Sequence, residues 1–367
     1  LQARVRAIQE VFGPDIKLCY SIKANPFLLP AMSAVTARLE VCSPGELSVC
    51  ESLQAADARV IYSGVNKTPA DIARAVADGA GSYTAESLLQ IRYLQEAAHA
   101  AGRRLPVLLR LNAGSQFGMS KQDLFSALKN RAETPDLDFI GIHYFVSTQR
   151  KKLTSQQKEL TMLQALYDEI EQTFGLRLPE LEYGPGLPVP YFDGDDFTDT
   201  LAPARALAPA LQDAAGWAHL TVEMGRFYTA ECGFYLTTAM DCKDHDGQHY
   251  CIVDGGMNHL NYLGQIMGMK RPHLRHFAAQ QGTQQDWTLC GSLCTTNDVL
   301  VRSISLTGLQ PGNLLVFENA GAYSVTEGLG LFLSRDLPQI VLWQNGAPQL
   351  VRGFTPTHPL NTPLGDM

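Results

Sequence analysis

Several features that would fix a protein's class at once are missing. The eight cysteines (Cys19, Cys42, Cys50, Cys232, Cys242, Cys251, Cys290 and Cys294) form no CxxC pair, and most lie inside apolar runs. In a chain of 367 residues this predicts reduced thiols in a cytoplasm rather than a disulfide framework. It also argues against zinc, and no metal is expected. No apolar run is long enough to span a bilayer, and the polar, helix-like opening LQARVRAIQEVFG does not read as a signal peptide. Cationic charge is not in excess: Lys and Arg number 29 against 37 Asp and Glu, for a net charge of −8. That gives no electrostatic reason to expect nucleic acid or an anionic membrane as partner. No GxGxxG follows the first strand-like run, and there is no internal repeat or low-complexity stretch.

What is present is an alternation. Strand-like runs occur at IKLCYSIK (16–23), RLEVCS (38–43), RVIYSG (59–64), GSYTAES (81–87), LPVLLRLN (105–112), DFIGIHYFVS (138–147), PELEYGPG (179–186) and HLTVEMGRF (219–227). Between them lie segments with helical apolar spacing, several opening on Ser, Thr or Pro. Strict alternation predicts parallel pairing, and eight such units over roughly 230 residues match the size of a (β/α)8 TIM-like barrel. An open doubly wound sheet is the alternative on pattern alone. From about residue 232 the texture changes to strands with Gly, Asn and Asp turns, as in HYCIVDGG and NLLVFENAG. The expected organisation is therefore a barrel over 1–232 and a C-terminal β domain over 233–367.

In such a barrel functional side chains collect at the C-terminal ends of the strands. Lys23 ends the first, sharing a face with Lys17, Cys19 and Ser21. A lysine in a closed barrel mouth is partly desolvated, which favours the nucleophilic amine and Schiff-base chemistry. The bland alternative is a surface lysine that snorkels at a strand end. Arg110 ends the fifth run, His143 to Gln149 end the sixth, YGPG (183–186) ends the seventh, and Glu223 and Arg226 close the eighth. Glycine-bearing loops admit phosphate oxygens to backbone N–H groups, and an arginine adds a charged clamp. Taken singly, GPG is an ordinary turn, and Glu223 with Arg226 is equally well a structural ion pair.

These residues carry a resemblance. YSIKANP (20–26), EVCSPGEL (40–47), GIHYFVSTQ (141–149), EYGPGLPVPYF, EMGR, VDGGMNH (253–259), CGSLCTTNDVL (290–300) and AGAYS (320–324) resemble, in order, the motifs of the fold-type III pyridoxal-phosphate (PLP) decarboxylases. This is the ornithine and diaminopimelate decarboxylase group, and the likeness covers nearly the whole chain. It implies an alanine racemase-like architecture, a barrel followed by a C-terminal β-sandwich or β-barrel domain. By that likeness Lys23 would bind PLP covalently and Glu223 would face the pyridine nitrogen. Arg226, Gly184, Gly186, Thr148 and Tyr323 would hold the phosphate, with Arg110, His143 and Phe145 also at the cofactor. Glu40 would lie near the lysine and Asp254 would approach the substrate. Cys294 would donate a proton from the partner subunit of a head-to-tail homodimer; without the surrounding motif it would read as a packed thiol. The family also has an N-terminal strand that joins the C-terminal domain, and no counterpart to it is expected here. A carboxylate beside the ring nitrogen keeps it protonated and makes it an electron sink, so Glu223 favours decarboxylation. The alternatives are an amino-acid racemase of the same fold and a non-catalytic PLP-binding homologue.

The chain departs from the family at three places. Phe145 stands where a ring-stacking histidine is usual; it can stack but not titrate. Pro185 replaces the middle glycine of the loop and removes an N–H. Thr295 follows Cys294 where the diamine enzymes carry an acid; threonine cannot pair an ammonium group, and an unpaired buried charge is costly. Free diamino acids are thereby disfavoured. The sequence is similar to a butirosin-type biosynthetic subgroup whose substrate is an aminoacyl group on a carrier protein. The basic stretches RKK (150–152) and MKRPHLRH (269–276) are candidates to receive an acidic carrier, or are solvated surface charge.

Overall fold

The computed structural model describes residues 1–55, 57–196, 198–277 and 282–364. The chain divides into two compact units. One comprises Leu1–Val189 with Thr198–Tyr228; the other takes the loop that starts at Pro190 and the chain from Thr229 onward.

The first unit is a closed parallel barrel in sequential strand order. Its strands are β1 Lys17–Ser21, β2 Arg38–Val41, β3 Val60–Tyr62, β4 Ser82–Ala85, β5 Leu105–Arg110, β6 Leu137–Phe145, β7 Glu180–Gly184 and β8 His219–Met224. Closure is direct: β1 pairs with β2 on one side and with β8 on the other, Cys19 lying opposite Arg38 and Glu223. This excludes the open sheet. Seven of the eight strands fall within the runs expected from sequence, and β6 begins one residue before its run, at Leu137.

Four of the helices between them begin where the sequence provides a side-chain cap. Ser43, Ser87 and Ser120 each accept a hydrogen bond from the backbone N–H three residues on. Thr68 and Asp71 form a reciprocal capping box. Each such cap is worth about 1 kcal/mol. The helices Leu88–Ala101 and Leu153–Phe174 stop at Gly102 and Gly175, both left-handed. Period 2 then sorts the strand side chains. Leu18, Tyr20, Leu39, Val41, Val60, Tyr62, Leu181 and Tyr183 are buried on one face. A small plug of Cys19, Ile61 and Leu108, with Ile140 against it, lies on the other. Trp217 packs edge-on against Tyr167, ring centres 5.0 Å apart.

The second unit holds a six-stranded sheet in the order β11-β14-β9-β10-β12-β13. Its strands are β9 Tyr235–His245, β10 Gln248–Val253, β11 Leu274–Phe277, β12 Gln284–Cys290, β13 Val299–Thr307 and β14 Leu314–Phe317. The sheet is mixed, because β10 and β12 run parallel while the other neighbours are antiparallel. A separate hairpin pairs β15 Ile340–Gln344 with β16 Ala347–Arg352. Trp287 is buried in β12, whereas Trp343 on the hairpin is 73% exposed. Three strands are not marked by the sequence: β11, β12 and β16. In β11, Arg275 of the basic stretch 269–276 pairs with Glu318 at 2.5 Å. Arg271 pairs with Asp193 in the same unit.

Candidate active site

The site is built from the inner face of the barrel, near the C-terminal ends of its strands. Lys23 lies just past β1, on the 3-10 turn Ile22–Ala24. Its Nζ is 2.6 Å from Glu40 Oε2, 3.2 Å from Cys42 Sγ and 3.9 Å from Glu223 Oε1. The amine is thus gripped by two carboxylates from β2 and β8 and remains 37% exposed. It is neither a free surface lysine nor a buried one. Cys42 donates its thiol hydrogen to Glu40 Oε1 at 3.0 Å. Burial, followed by the negative charge of Glu40, pushes that thiol well above its ordinary value. The Cys42 backbone N–H donates to Glu46 Oε2 at 2.7 Å, which ties the start of the following helix to the site.

Glu223 is buried and well satisfied. Ser21 Oγ donates to its Oε1 at 3.0 Å, and His143 Nε2 lies 2.8 Å from its Oε2. Burial alone would raise its pKa. The His143 hydrogen bond and the positive charge of Lys23 outweigh burial and hold the carboxyl well below the usual range. It is therefore an ionised carboxylate in a nearly dry setting. Glu182, two residues before Gly184 on β7, shares the inner face and goes the other way. Burial and the charges of Glu223 and Glu40 drive it well above the carboxylate range.

A second cluster surrounds Arg110. Its Nη1 donates to Glu86 Oε1 at 2.5 Å, and its guanidinium lies 4.7 Å from the centre of the Phe117 ring. The N–H of Gly118 donates to the other Glu86 oxygen at 2.9 Å. Lys67 is buried, donates to the Gly64 carbonyl, and is brought down to about 8 by burial.

The two loops assigned to phosphate lie against each other. Gly186 has φ +62°, and a Cβ there would run into the carbonyl of Ser147, the neighbour of Thr148. The Arg150 N–H donates to the Gly186 carbonyl at 2.9 Å. At Gly184 a Cβ would meet the ring of Phe145 at 2.5 Å, so that ring lies directly over the glycine. Pro185 gives up an N–H, and its carbonyl accepts from Gln156 Nε2 at 3.0 Å. Arg226 is buried at the start of the short helix Arg226–Thr229. Arg150, read as part of a basic surface stretch, is instead paired with Glu159, which also accepts from Tyr183 Oη at 2.7 Å.

The remaining assigned residues belong to the second unit. Asp254 accepts from Thr237 Oγ1 and, at 3.0 Å, from the Thr238 N–H. Cys294 is exposed and unbridged. Thr295 accepts from the Asn297 N–H at 3.3 Å. Tyr323 takes a left-handed conformation, φ +66°, and its carbonyl accepts from Thr326 and Glu327.

Sequence reasoning passed over Ser21, Cys42, Lys67, Glu86 and Glu182 as site residues. For Ser21 and Glu182 the signal exists, since each sits two residues from a residue singled out on the same face of its strand.

A family model described as "Pyridoxal-dependent decarboxylase, pyridoxal binding domain" matches residues 1–230. The L-glutamyl-(BtrI acyl-carrier protein) decarboxylase of Niallia circulans is 26% identical over 96% of this chain and 88% of its own length. The diaminopimelate decarboxylase of Aquifex aeolicus is 24% identical over 96% and 86%. Among solved structures, the Helicobacter pylori diaminopimelate decarboxylase superposes with a TM-score of 0.84 at 18% identity, covering 98% of this chain and 94% of that one. The enzyme of the same name from M. jannaschii gives 0.82 at 20% identity, covering 96% and 86%. At these identities the two structures speak for the fold, a parallel barrel followed by a β domain. The family match spans every element of that barrel, from the lysine turn after β1 to Glu223 and Arg226 at the end of β8; the chain belongs to the pyridoxal-dependent decarboxylases and is a PLP-dependent decarboxylase of an amino acid or amino-acid derivative.

Proposed function

We propose that this decarboxylase acts on an amino acid whose distal end carries no free ammonium group, with a carrier-bound aminoacyl compound as the leading candidate. The observation that carries the decarboxylase chemistry is Glu223: buried, fixed by His143 and Ser21, and held, against the effect of burial, below the usual carboxyl range by His143 and Lys23. The residues present fit PLP. An amine stands between two carboxylates at the barrel mouth, a glycine that tolerates no side chain abuts the Thr148 loop, and a buried arginine follows β8. Lys23 would hold the aldehyde carbon, Glu223 the ring nitrogen, and Thr148, Gly184, Gly186, Arg226 and Tyr323 the phosphate. Arg110, His143 and Phe145 complete the cofactor's surroundings. When bound, PLP takes up the electron pair left by departing CO₂. Glu223 keeps a full negative charge at its Oε atoms, so the proton facing it stays in place. Glu40 orients the Lys23 amine. Cys294 offers a thiol proton to the carbon that has lost CO₂, and in our reading it comes from a second copy of the chain.

Substrate choice rests on Thr295 and on the relatives. The Niallia circulans protein acts, by its name, on a glutamyl group attached to an acyl-carrier protein. Thr295 brings a hydroxyl rather than a charge, and its oxygen already accepts from Asn297. An ammonium group facing it would find no counter-charge there. The test is CO₂ release by the PLP-loaded protein from free L- and D-amino acids, diamino acids included, and from aminoacyl carrier proteins, with Lys23→Ala as blank. Release from the carrier-bound compounds alone is expected. Efficient release from lysine, ornithine or diaminopimelate would overturn the substrate reading.

A further inference from the structure

On the inner face of the barrel lies a carboxyl group that is buried without a partner and that the reaction scheme leaves idle. Glu182 on β7 is 1% exposed, and neither of its side-chain oxygens has a hydrogen-bond partner. Its carboxyl, a ring nitrogen of His143 and a carboxylate oxygen of Glu223 all lie within 4.8 Å of one another. His143 Nδ1 is likewise buried without a partner, while Nε2 lies on Glu223. An ionised carboxylate in that setting would lack both water and a donor, the least favourable state for a buried charge. It would also face a second carboxylate, and two such neighbours do not both ionise readily.

We propose that Glu182 is a proton-bearing positioning residue: it stays a neutral acid beneath the site, leaves the negative charge of the pair on Glu223, and keeps a proton beside the His143–Glu223 hydrogen bond. The charge assignment agrees with the other groups around it. Burial opposes its ionisation most, Glu223 on β8 and Glu40 on β2 oppose it as well, and Arg38 on β2 and Lys23 after β1 favour it. The remaining titratable neighbours are His143 on β6 and the Cys19 thiol on β1, which burial pushes upward. The catalytic meaning of this arrangement rests on Glu223 being the carboxylate that meets the cofactor ring. The protonation state itself does not.

The test therefore reads the protein before PLP is added. Infrared spectroscopy near neutral pH is expected to show the C=O band of a protonated carboxyl that shifts in D₂O and is missing from Glu182→Gln. The pH dependence of stability supplies a second readout. The folded state holds a proton that the unfolded chain releases near the ordinary carboxylate value, so the contribution of Glu182 to wild-type stability falls as pH rises above that value. Glu182→Gln lacks this slope. Its unfolding constant relative to wild type should fall by about tenfold per pH unit in that window. A variant that differs from wild type by a constant amount at every pH, or an unchanged infrared band, overturns the proposal. If Glu182→Gln does not fold, ¹³C NMR of wild type labelled at its glutamate carboxyls decides, because one carboxyl must remain in the acid form at pH 7. Retention of turnover by Lys23→Ala would overturn the site reading while leaving this result standing.

Discussion

Lys23 and Glu223 show how one residue's state depends on its neighbours. Lys23 bridges Glu40 and Glu223, so Lys23→Ala should abolish both turnover and the visible absorbance of the loaded protein; survival of either would remove it from the site. Glu223→Gln keeps the shape and loses the charge. It should lower kcat by roughly 10²–10³ with less change in KM, the scale of losing one preorganised electrostatic contact, checked by steady-state kinetics. Thr295→Asp should raise kcat/KM for diamino acids relative to wild type. Lys67 gives a prediction for stability. Its folded pKa, about 8, lies below the ordinary lysine value because of burial, so the folded state binds fewer protons than the unfolded chain between those values. The penalty is complete below about pH 8 and fades as pH rises toward 10. Lys67→Met should therefore be more stable than wild type by about 1–3 kcal/mol at pH 7, with the gap closing in denaturant titrations at higher pH. Lys23, Glu223 and His143 were legible because they stand in motifs with a fixed order. Glu86 was not, since a single carboxylate after a strand looks like any surface charge until Arg110 and Gly118 are brought to it.

Among the elements, the barrel strands were readable because helices with recognisable caps separate them, Thr68–Asp71 and Ser43 being examples. The second unit offers no such punctuation. Strand β11 reads LRHF and has no fully buried residue, while β12 begins QQDW and buries only Trp287 and Leu289. A strand recognised by its partners rather than by its own alternation leaves little trace in sequence. The parallel β10–β12 pair was hidden for the same reason. The loop after β7 gives an element-scale prediction. Gly186→Ala forces a Cβ into a left-handed residue that abuts the Ser147 carbonyl. The left-handed conformation alone costs about 1–2 kcal/mol. The variant should melt earlier and hold PLP about tenfold more weakly, measured by cofactor titration. An unchanged affinity would separate this loop from the phosphate site.

For the molecule as a whole, the two units carry different parts of the assigned chemistry: Lys23 and Glu223 in the barrel, Cys294 and Tyr323 in the β unit. If two copies complete each other's sites, mixing inactive Lys23→Ala with inactive Cys294→Ala under conditions of subunit exchange should restore part of the activity. No recovery would mean that each copy is self-contained. The tryptophans make the same division visible in light. Of the three indoles in the chain, Trp217 alone reports on the barrel, from its place against Tyr167. Trp287 sits in a dry sheet and Trp343 stands in water. Iodide should quench Trp343 first, and Trp→Phe changes at 287 and 343 would leave an emission that follows the barrel alone. The chain thus carries its own optical labels, with which loss of the cofactor-binding half can be timed separately from loss of the other.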